Sequence, residues 1–427
     1  MTFQKSLDLM KRAEKRIPSI SQTFSKGPNQ WARGVTPHYL QRGEGAWVWD
    51  ADGNRFLDHV MALGPVILGY DNDRVNTAIR EQLKEGIVFS QMHPLEVEVA
   101  ELLCDIIPCA EMVRFGKTGS DVTTAAVRVS RAFTGRDRIA MCGYHGWHDW
   151  YIGTTTRSLG VPQAVQDLSH TFAYNDLDSL KDLFEKHPGE FAAVIMEPVG
   201  VVDPDDGFLE GVKALAKEAG AVLIFDEVVT GFRMALGGAQ EYYGVEPDLA
   251  CFGKAMGNGM PISAVVGRAD IMNLFDDIFF SGTFNGEALS LASCKATLEE
   301  LRATDGIAKI WTYGDALIEG IEKSINDNGL NGAVTVIGKG FRSILTFPHN
   351  DEKEMLRRRT YFMQECVKQG LLYFCLHMPS AAHGEKELAF TLKVINEVMT
   401  SFAMVHQADD FENRLEGPCV EAVFRKA

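Results

Sequence analysis

The chain has 427 residues, with 58 acidic and 42 basic side chains and a formal charge of −16; 46% of residues are hydrophobic and 23% charged. That balance fits a globular protein of two or three domains and excludes a disordered chain. So acidic a chain suits neither nucleic-acid phosphates nor an anionic membrane surface, so neither is expected as a partner. Apolar runs such as 191–196 and 371–376 are strand-sized, well short of the roughly 20 residues that span a bilayer. The N-terminus is mixed in charge and lacks the apolar stretch of a secretory signal, and the eight cysteines form no Cys-x-x-Cys pair. A cytoplasmic location with reduced thiols is the expectation.

Residues 2–16 read as an amphipathic helix. Residues 47–58 (WVWDADGNRFLD) alternate around Asp52-Gly53, which predicts a β-hairpin. From about 95 to 315, short apolar runs at 138–142, 192–196 and 221–225 predict buried strands. Helical patterns at 120–133, 178–187 and 208–219 lie between or beside them. This rhythm predicts an α/β domain with a mostly parallel sheet. Beyond about 316, a helix (316–328), a strand pair (333–337, 342–347) and helices at 351–369 and 385–404 predict a smaller α+β unit.

Parallel sheets bind ligands at the carboxyl ends of their strands. Two predicted strands end in carboxylates, Glu197 after AAVIM and Asp226 after AVLIF. Each must meet a cation or cap a helix, because an unpaired buried carboxylate is costly. Lys254 sits in FGKAMGNGMP, where glycines allow close approach and partial desolvation favours a Schiff-base amine. Together, Asp226 and Lys254 suit pyridoxal phosphate (PLP) as pyridinium partner and amine. Residues 115–121 (FGKTGSD) open a helix whose free N–H groups, with the Thr118 and Ser120 hydroxyls, suit a phosphate dianion; Asp121 must then point away. The cluster 143–149 (GYHGWHD) offers an aromatic for a flat ring. His145, His148 and Asp149 form no metal signature there, so no metal is expected. No dinucleotide fingerprint follows a strand, and Gly338-Lys339 lacks the spacing of a P-loop.

These pieces together resemble the class III PLP-dependent aminotransferases, within them the glutamate-1-semialdehyde aminomutase-like branch. The resemblance runs from about residue 33 to 400 and rests on WVWDADGNRFLD, ILGY, RAFTGR, YHGWHD, FDEVVTGFR and FGKAMGNGMP. It implies PLP-dependent transferase fold type I (aspartate-aminotransferase-like). A large PLP domain (61–315) would carry a small domain built from both chain ends (1–60 and 316–427), in a homodimer with shared active sites. It further implies Lys254 as the covalent attachment point and proton shuttle, and Asp226 as the pyridine-nitrogen partner. Val228 and Tyr144 would flank the ring, and Gly119 and Ser120 would hold the phosphate. Thr283 would reach the neighbouring subunit's phosphate, and Glu197 would lie near the substrate side of the cofactor. His145 belongs to the Tyr144 motif without an assigned role and is kept with Arg33 as a candidate substrate residue; Arg33 matches an arginine that takes a substrate carboxylate.

The sequence departs from the aminomutases at TGSDV in the phosphate cup, at FNGEA after Thr283 and in the short stretch 370–383. These departures favour an aminotransferase moving an amino group from an amino-acid donor to a keto or aldehyde acceptor, in amino-sugar or specialised-metabolite biosynthesis. The alternatives are an intramolecular aminomutase and a non-catalytic PLP-binding protein. The tail 406–427 could dock on its own chain or on a partner.

Overall fold

A computed structural model describes residues 1–421. The chain divides into two compact units, one formed by residues 1–72 with the chain from 308 onward, the other by residues 73–307. The divisions expected from the sequence lay at 60/61 and 315/316.

After an N-terminal helix, Gln4–Ala13, come β1 (Leu40–Glu44), β2 (Trp47–Asp50) and β3 (Arg55–Asp58), all in the first unit. The β2–β3 turn is the expected hairpin. The Asp50 carboxylate accepts the backbone N–H groups of Asp52 and Asn54 at 3.0 and 2.7 Å, and Gly53 takes φ +93°, which favours a residue without a Cβ.

The second unit contains β4 (Met112–Gly116), β5 (Arg138–Cys142), β6 (Ser169–Thr171), β7 (Phe191–Met196), β8 (Val222–Asp226), β9 (Leu249–Phe252) and β10 (Ser263–Gly267). They form one sheet in the order β4-β10-β9-β8-β7-β5-β6. β10 runs antiparallel to both β4 and β9, whereas β6, β5, β7, β8 and β9 pair in parallel. The sheet is therefore mixed, and the cause is local. The segment between β9 and β10 is a 3₁₀ turn, Lys254–Gly257, and a short loop, too little chain for the crossover a parallel pair requires. Every residue of β7, β8, β9 and β10 is buried, which explains their near-continuous apolar sequence.

The first unit resumes with β11 (Thr335–Lys339), β12 (Arg342–Thr346), β13 (Leu371–Leu372) and β14 (Leu376–His377). β13 pairs in parallel with β3, so both chain ends build one sheet, while β11-β12-β14 form another. Helices Glu352–Lys368 and Glu385–Ala408 enclose a core that includes Leu317, Phe362, Tyr373, Ile395 and Phe402. Among the described residues, Glu385–Ala408 is long and apolar enough by length and composition to cross a membrane, an exception to the strand-sized apolar runs read from the sequence. Here its Val394, Ile395, Val398, Met399 and Phe402 join the core. Within the tail, Phe411 and Val420 insert into that core, so the described part of 406–427 docks on its own unit; residues 422–427 lie outside the described residues.

Three fully or nearly fully buried histidines meet in this unit. His59 stands 5.6 Å from His377 and 5.2 Å from His383, ring centre to ring centre, with Tyr313 and Tyr373 alongside. His59 Nε2 bonds Thr391 Oγ1 at 2.9 Å, and His377 Nδ1 bonds Ser343 Oγ at 2.8 Å. Burial, and then the neighbouring His383, lower the basicity of both rings, that of His377 to about 3. His377 is thus neutral in the fold and protonates more readily in the unfolded chain. Stability is full above the ordinary histidine value and falls as pH drops from there toward about 3. The expected loss from His377 at pH 5 is about 2 kcal/mol. Denaturant midpoints at pH 7.5 and pH 5 test this: His377→Asn should narrow the gap between them, and an unchanged gap contradicts the assignment.

Candidate active site

The residues singled out in the second unit converge at the carboxyl ends of β5, β7, β8 and β9. The helix Gly119–Thr134 begins with a capping box: Thr118 Oγ1 accepts the Asp121 N–H at 3.2 Å, and the Asp121 carboxylate accepts the Thr118 N–H at 2.7 Å. Asp121 is thereby turned back onto the Lys117–Thr118 backbone, the orientation an anion at this helix start requires. Gly119 faces Val228, since a Cβ there would lie 3.1 Å from Val228 Cγ1. Ser120 faces Gly146 more closely still; a Cβ on Gly146 would fall 2.1 Å from Ser120 Oγ, and the Trp147 N–H donates to that oxygen at 3.3 Å. Glycine is required at 146 by this contact and by its φ of +105°. The result is a narrow anion cradle at a helix N-terminus.

Asp226 closes β8 and is buried. Its Oδ1 accepts the Val228 N–H at 3.1 Å, and its Oδ2 lies 2.8 Å from His145 Nδ1. His145 Nε2 lies 3.1 Å from the Cys142 carbonyl oxygen. A carbonyl only accepts, so Nε2 carries a proton, and the Nδ1–Asp226 contact needs another. His145 has no exposed side-chain surface and both nitrogens are engaged. It lies buried against Asp226. Sequence reasoning missed this link because it depends on how the turn after β5 folds back.

Glu197, at the end of β7, accepts the Tyr144 N–H at 3.0 Å and holds the turn 143–144. Tyr144 is half exposed and packs edge-on against Tyr151 at 5.5 Å. Burial, then the charges of Asp226 and Glu197, raise its phenol's pKa. The neighbouring Glu227 points the other way, into the protein. It accepts the Ala239 and Gln240 N–H groups at 2.8 and 2.9 Å and bonds Thr230, while burial pushes its carboxyl upward.

Lys254 follows β9 and has φ +41°, a left-handed conformation that costs a non-glycine residue on the order of 1–3 kcal/mol. The preceding Gly253 lies beside the cradle: a Cβ there would be 3.6 Å from Val228 Cγ1 and from Ser263 Cβ. Ser263 Oγ in turn donates to the Thr118 carbonyl at 2.9 Å. Val228, Asp226 and His145 are therefore joined by hydrogen bonds, with Gly119 and the Gly253–Lys254 turn packed beside Val228 and Ser120 beside the 146–147 backbone. Thr283 stands exposed on the turn 282–285, and none of the contacts just described runs through it. The following Glu287 caps the helix Ala288–Ala303 and accepts from Lys117 Nζ at 2.8 Å. Burial works to raise this carboxyl, but hydrogen bonds from Lys117 and Ser290 outweigh it and hold it low. Arg33 belongs to the first unit, where its Nε is buried with no hydrogen-bond partner. Among the described residues no cluster of three or more His, Cys, Asp or Glu is placed to hold a metal.

An anion cradle, a buried carboxylate–imidazole pair and a lysine on a strained turn are the set that a phosphate-bearing pyridine aldehyde needs. Glycines at 119 and 146 let the helix start pack directly against Val228 and against the 146 turn, with no side chain between them. These residues fit PLP.

Comparison with known proteins gives the same direction. Residues 30–405 match the family described as aminotransferase class-III. The chain is 34% identical to the 3-aminobutyryl-CoA aminotransferase of Cloacimonas acidaminovorans, over 93% of this chain and 97% of that one. It is 38% identical to the glutamate-1-semialdehyde 2,1-aminomutase of Methanothrix thermoacetophila, over 89% of each. Among solved structures, the PLP form of the FumI protein of Sphingopyxis sp. MTA144 superposes with a TM-score of 0.88 at 28% identity, covering 95% of this chain and 98% of that one. The chain belongs to the class-III aminotransferases, PLP-dependent enzymes of fold type I.

Proposed function

We propose that this enzyme moves an amino group from an amino-acid donor to a small keto or aldehyde acceptor in two half-reactions, with Lys254 and Asp226 as its catalytic residues. The observation that carries the reading is the contact network joining the Gly119–Ser120 cradle, the Asp226–His145 pair and the Lys254 turn. PLP, when bound, supplies the electron sink that makes a carbon–hydrogen bond beside an amine acidic. Lys254 holds the group covalently and moves the proton at its Nζ. Asp226 presents its carboxylate to the ring nitrogen, with His145 fixing that carboxylate from behind. Gly119 and Ser120 take the phosphate through the helix N-terminus. Val228 and Tyr144 flank the ring, Glu197 holds the Tyr144 turn, and Arg33 takes a carboxylate of the substrate. The loop after Thr283 favours an acceptor of amino-sugar or specialised-metabolite type.

The relatives named as aminomutases support a second reading, an intramolecular exchange in which one molecule serves as both donor and acceptor. Titration of the PLP-loaded protein with L-glutamate, L-alanine and 3-aminobutanoate, followed by addition of the carbonyl acceptor, separates the two. An aminotransferase consumes one donor per product, whereas a mutase turns over without one. A PLP-loaded protein whose visible absorbance responds to no amino donor contradicts the aminotransferase reading, and one that also forms no isomer from an amino-aldehyde substrate contradicts the mutase.

The proposal includes a homodimer in the cytoplasm. It is supported by exposed Phe89, Met92, Val97, Phe279 and Phe284 and by a cleft of about 920 Å³ whose walls include Met92, Val97, Phe115 and Phe280. Exposed apolar side chains grouped along a cleft are the kind of surface that a second copy covers. Sedimentation equilibrium is expected to give twice the chain mass; a monomer mass overturns the dimer.

A further inference from the structure

The segment 31–39, which carries Arg33, has no helix or strand of its own. Its order must come from what packs on it, and part of that is the far end of the chain. Glu421 N–H donates to the Asn29 carbonyl at 2.8 Å, Gln30 Nε2 donates to the Glu421 carbonyl at 2.7 Å, and Asn29 Nδ2 donates to Glu421 Oε2 at 2.9 Å. Upstream, the two backbones touch. A Cβ on Gly417 would fall 2.4 Å from the Arg33 carbonyl oxygen, and one on Gly34 would fall 3.4 Å from that of Glu416.

The same segment is firmly held from its other side. Val420 is buried in the core and its N–H donates to Thr360 Oγ1 at 3.0 Å. The Glu416 N–H donates to Gln364 Oε1 at 2.8 Å, Gln364 Nε2 donates to the Arg414 carbonyl at 3.0 Å, and Lys368 pairs with Glu416. Residues 415–421 thus bridge the helix Glu352–Lys368 to the backbone at Asn29–Gly34. Arg33 itself has a buried Nε with no hydrogen-bond partner among the described residues.

We propose that residues 415–421 are a positioning strap that fixes the backbone of Arg33 and so sets the enzyme's affinity for carboxylate-bearing substrates. This rests on the reading of Arg33 as the substrate-carboxylate ligand. Arg33 touches the substrate, whereas the strap acts only through it. Gly417 is the sensitive position, because any side chain there meets backbone rather than a flexible side chain.

The test uses the PLP-loaded full chain and reads the donor concentration that half-changes the cofactor's visible absorbance, with L-glutamate, L-alanine and 3-aminobutanoate as probes. Arg33→Gln is expected to raise that concentration about 10- to 100-fold, the loss of one charged hydrogen bond. Gly417→Ala is expected to raise it about 3- to 10-fold with the turnover number within about twofold, and Asn29→Ala to act in the same direction more weakly. Hydrogen exchange over residues 28–38 should quicken in Gly417→Ala, and the double variant with Arg33→Gln should be no worse than Arg33→Gln alone. If Arg33→Gln acts but Gly417→Ala and Asn29→Ala leave affinity and exchange unchanged, the strap is overturned while the Arg33 reading stands. If Arg33→Gln itself changes nothing, that reading fails and takes the inference with it.

Discussion

Lys254→Ala is expected to abolish amino transfer, lowering the rate by at least about 10⁴-fold, the upper range for a single acid–base group, because attachment of the cofactor is lost as well. The protein should still fold, since Lys254 is partly exposed and its neighbours in β9 and β10 are buried independently of it. The strained backbone permits a sharper comparison. At φ +41° an alanine keeps the penalty that lysine bears, whereas glycine removes it. Lys254→Gly should therefore be more stable than Lys254→Ala by about 1 kcal/mol, while both are inactive. Equal thermal midpoints for the two variants would mean that the turn is not strained, and substantial activity in either would remove Lys254 from the chemistry.

Asp226→Asn is expected to reduce the rate about 10²- to 10⁴-fold with the fold intact. The carboxylate is what the ring nitrogen needs, and an amide cannot replace its charge. The fold survives because the amide suits the site's hydrogen bonding. The amide N–H introduced by Asp226→Asn can donate to His145 Nδ1, leaving Nε2–H on the Cys142 carbonyl, so no buried group is orphaned. Cofactor loading should persist, because the Gly119–Ser120 cradle is untouched. Circular dichroism and cofactor absorbance check the first part, and single-turnover kinetics the second. A near-normal rate in a folded, loaded sample would assign the ring's protonation to another group.

Much of this site was legible in the sequence, and the reason is local. Strand-end carboxylates, a glycine-rich helix start and a lysine among glycines each announce themselves by neighbours within a few residues. The hairpin at 47–58 and the helices near 120–133, 178–187 and 208–219 were legible for the same reason, since caps and alternation are short-range signals. What escaped depends on contacts distant in sequence. β10 was missed as an antiparallel strand because its direction follows from the shortness of the turn after Phe252, not from its own residues. His145 could not be assigned to Asp226 until the turn after β5 was seen to fold back over β8. The tail's place against Asn29 and Arg33 spans almost the whole chain, and no local pattern encodes it.

The central claim is that Lys254 is the residue that binds PLP covalently. Borohydride reduction of the loaded protein, followed by proteolysis and mass spectrometry, tests it most directly. The expected result is the reduced cofactor's mass on the peptide bearing Lys254 and on no other. Its appearance on Lys117, the other lysine beside the cradle, or its absence from every peptide, would contradict the claim.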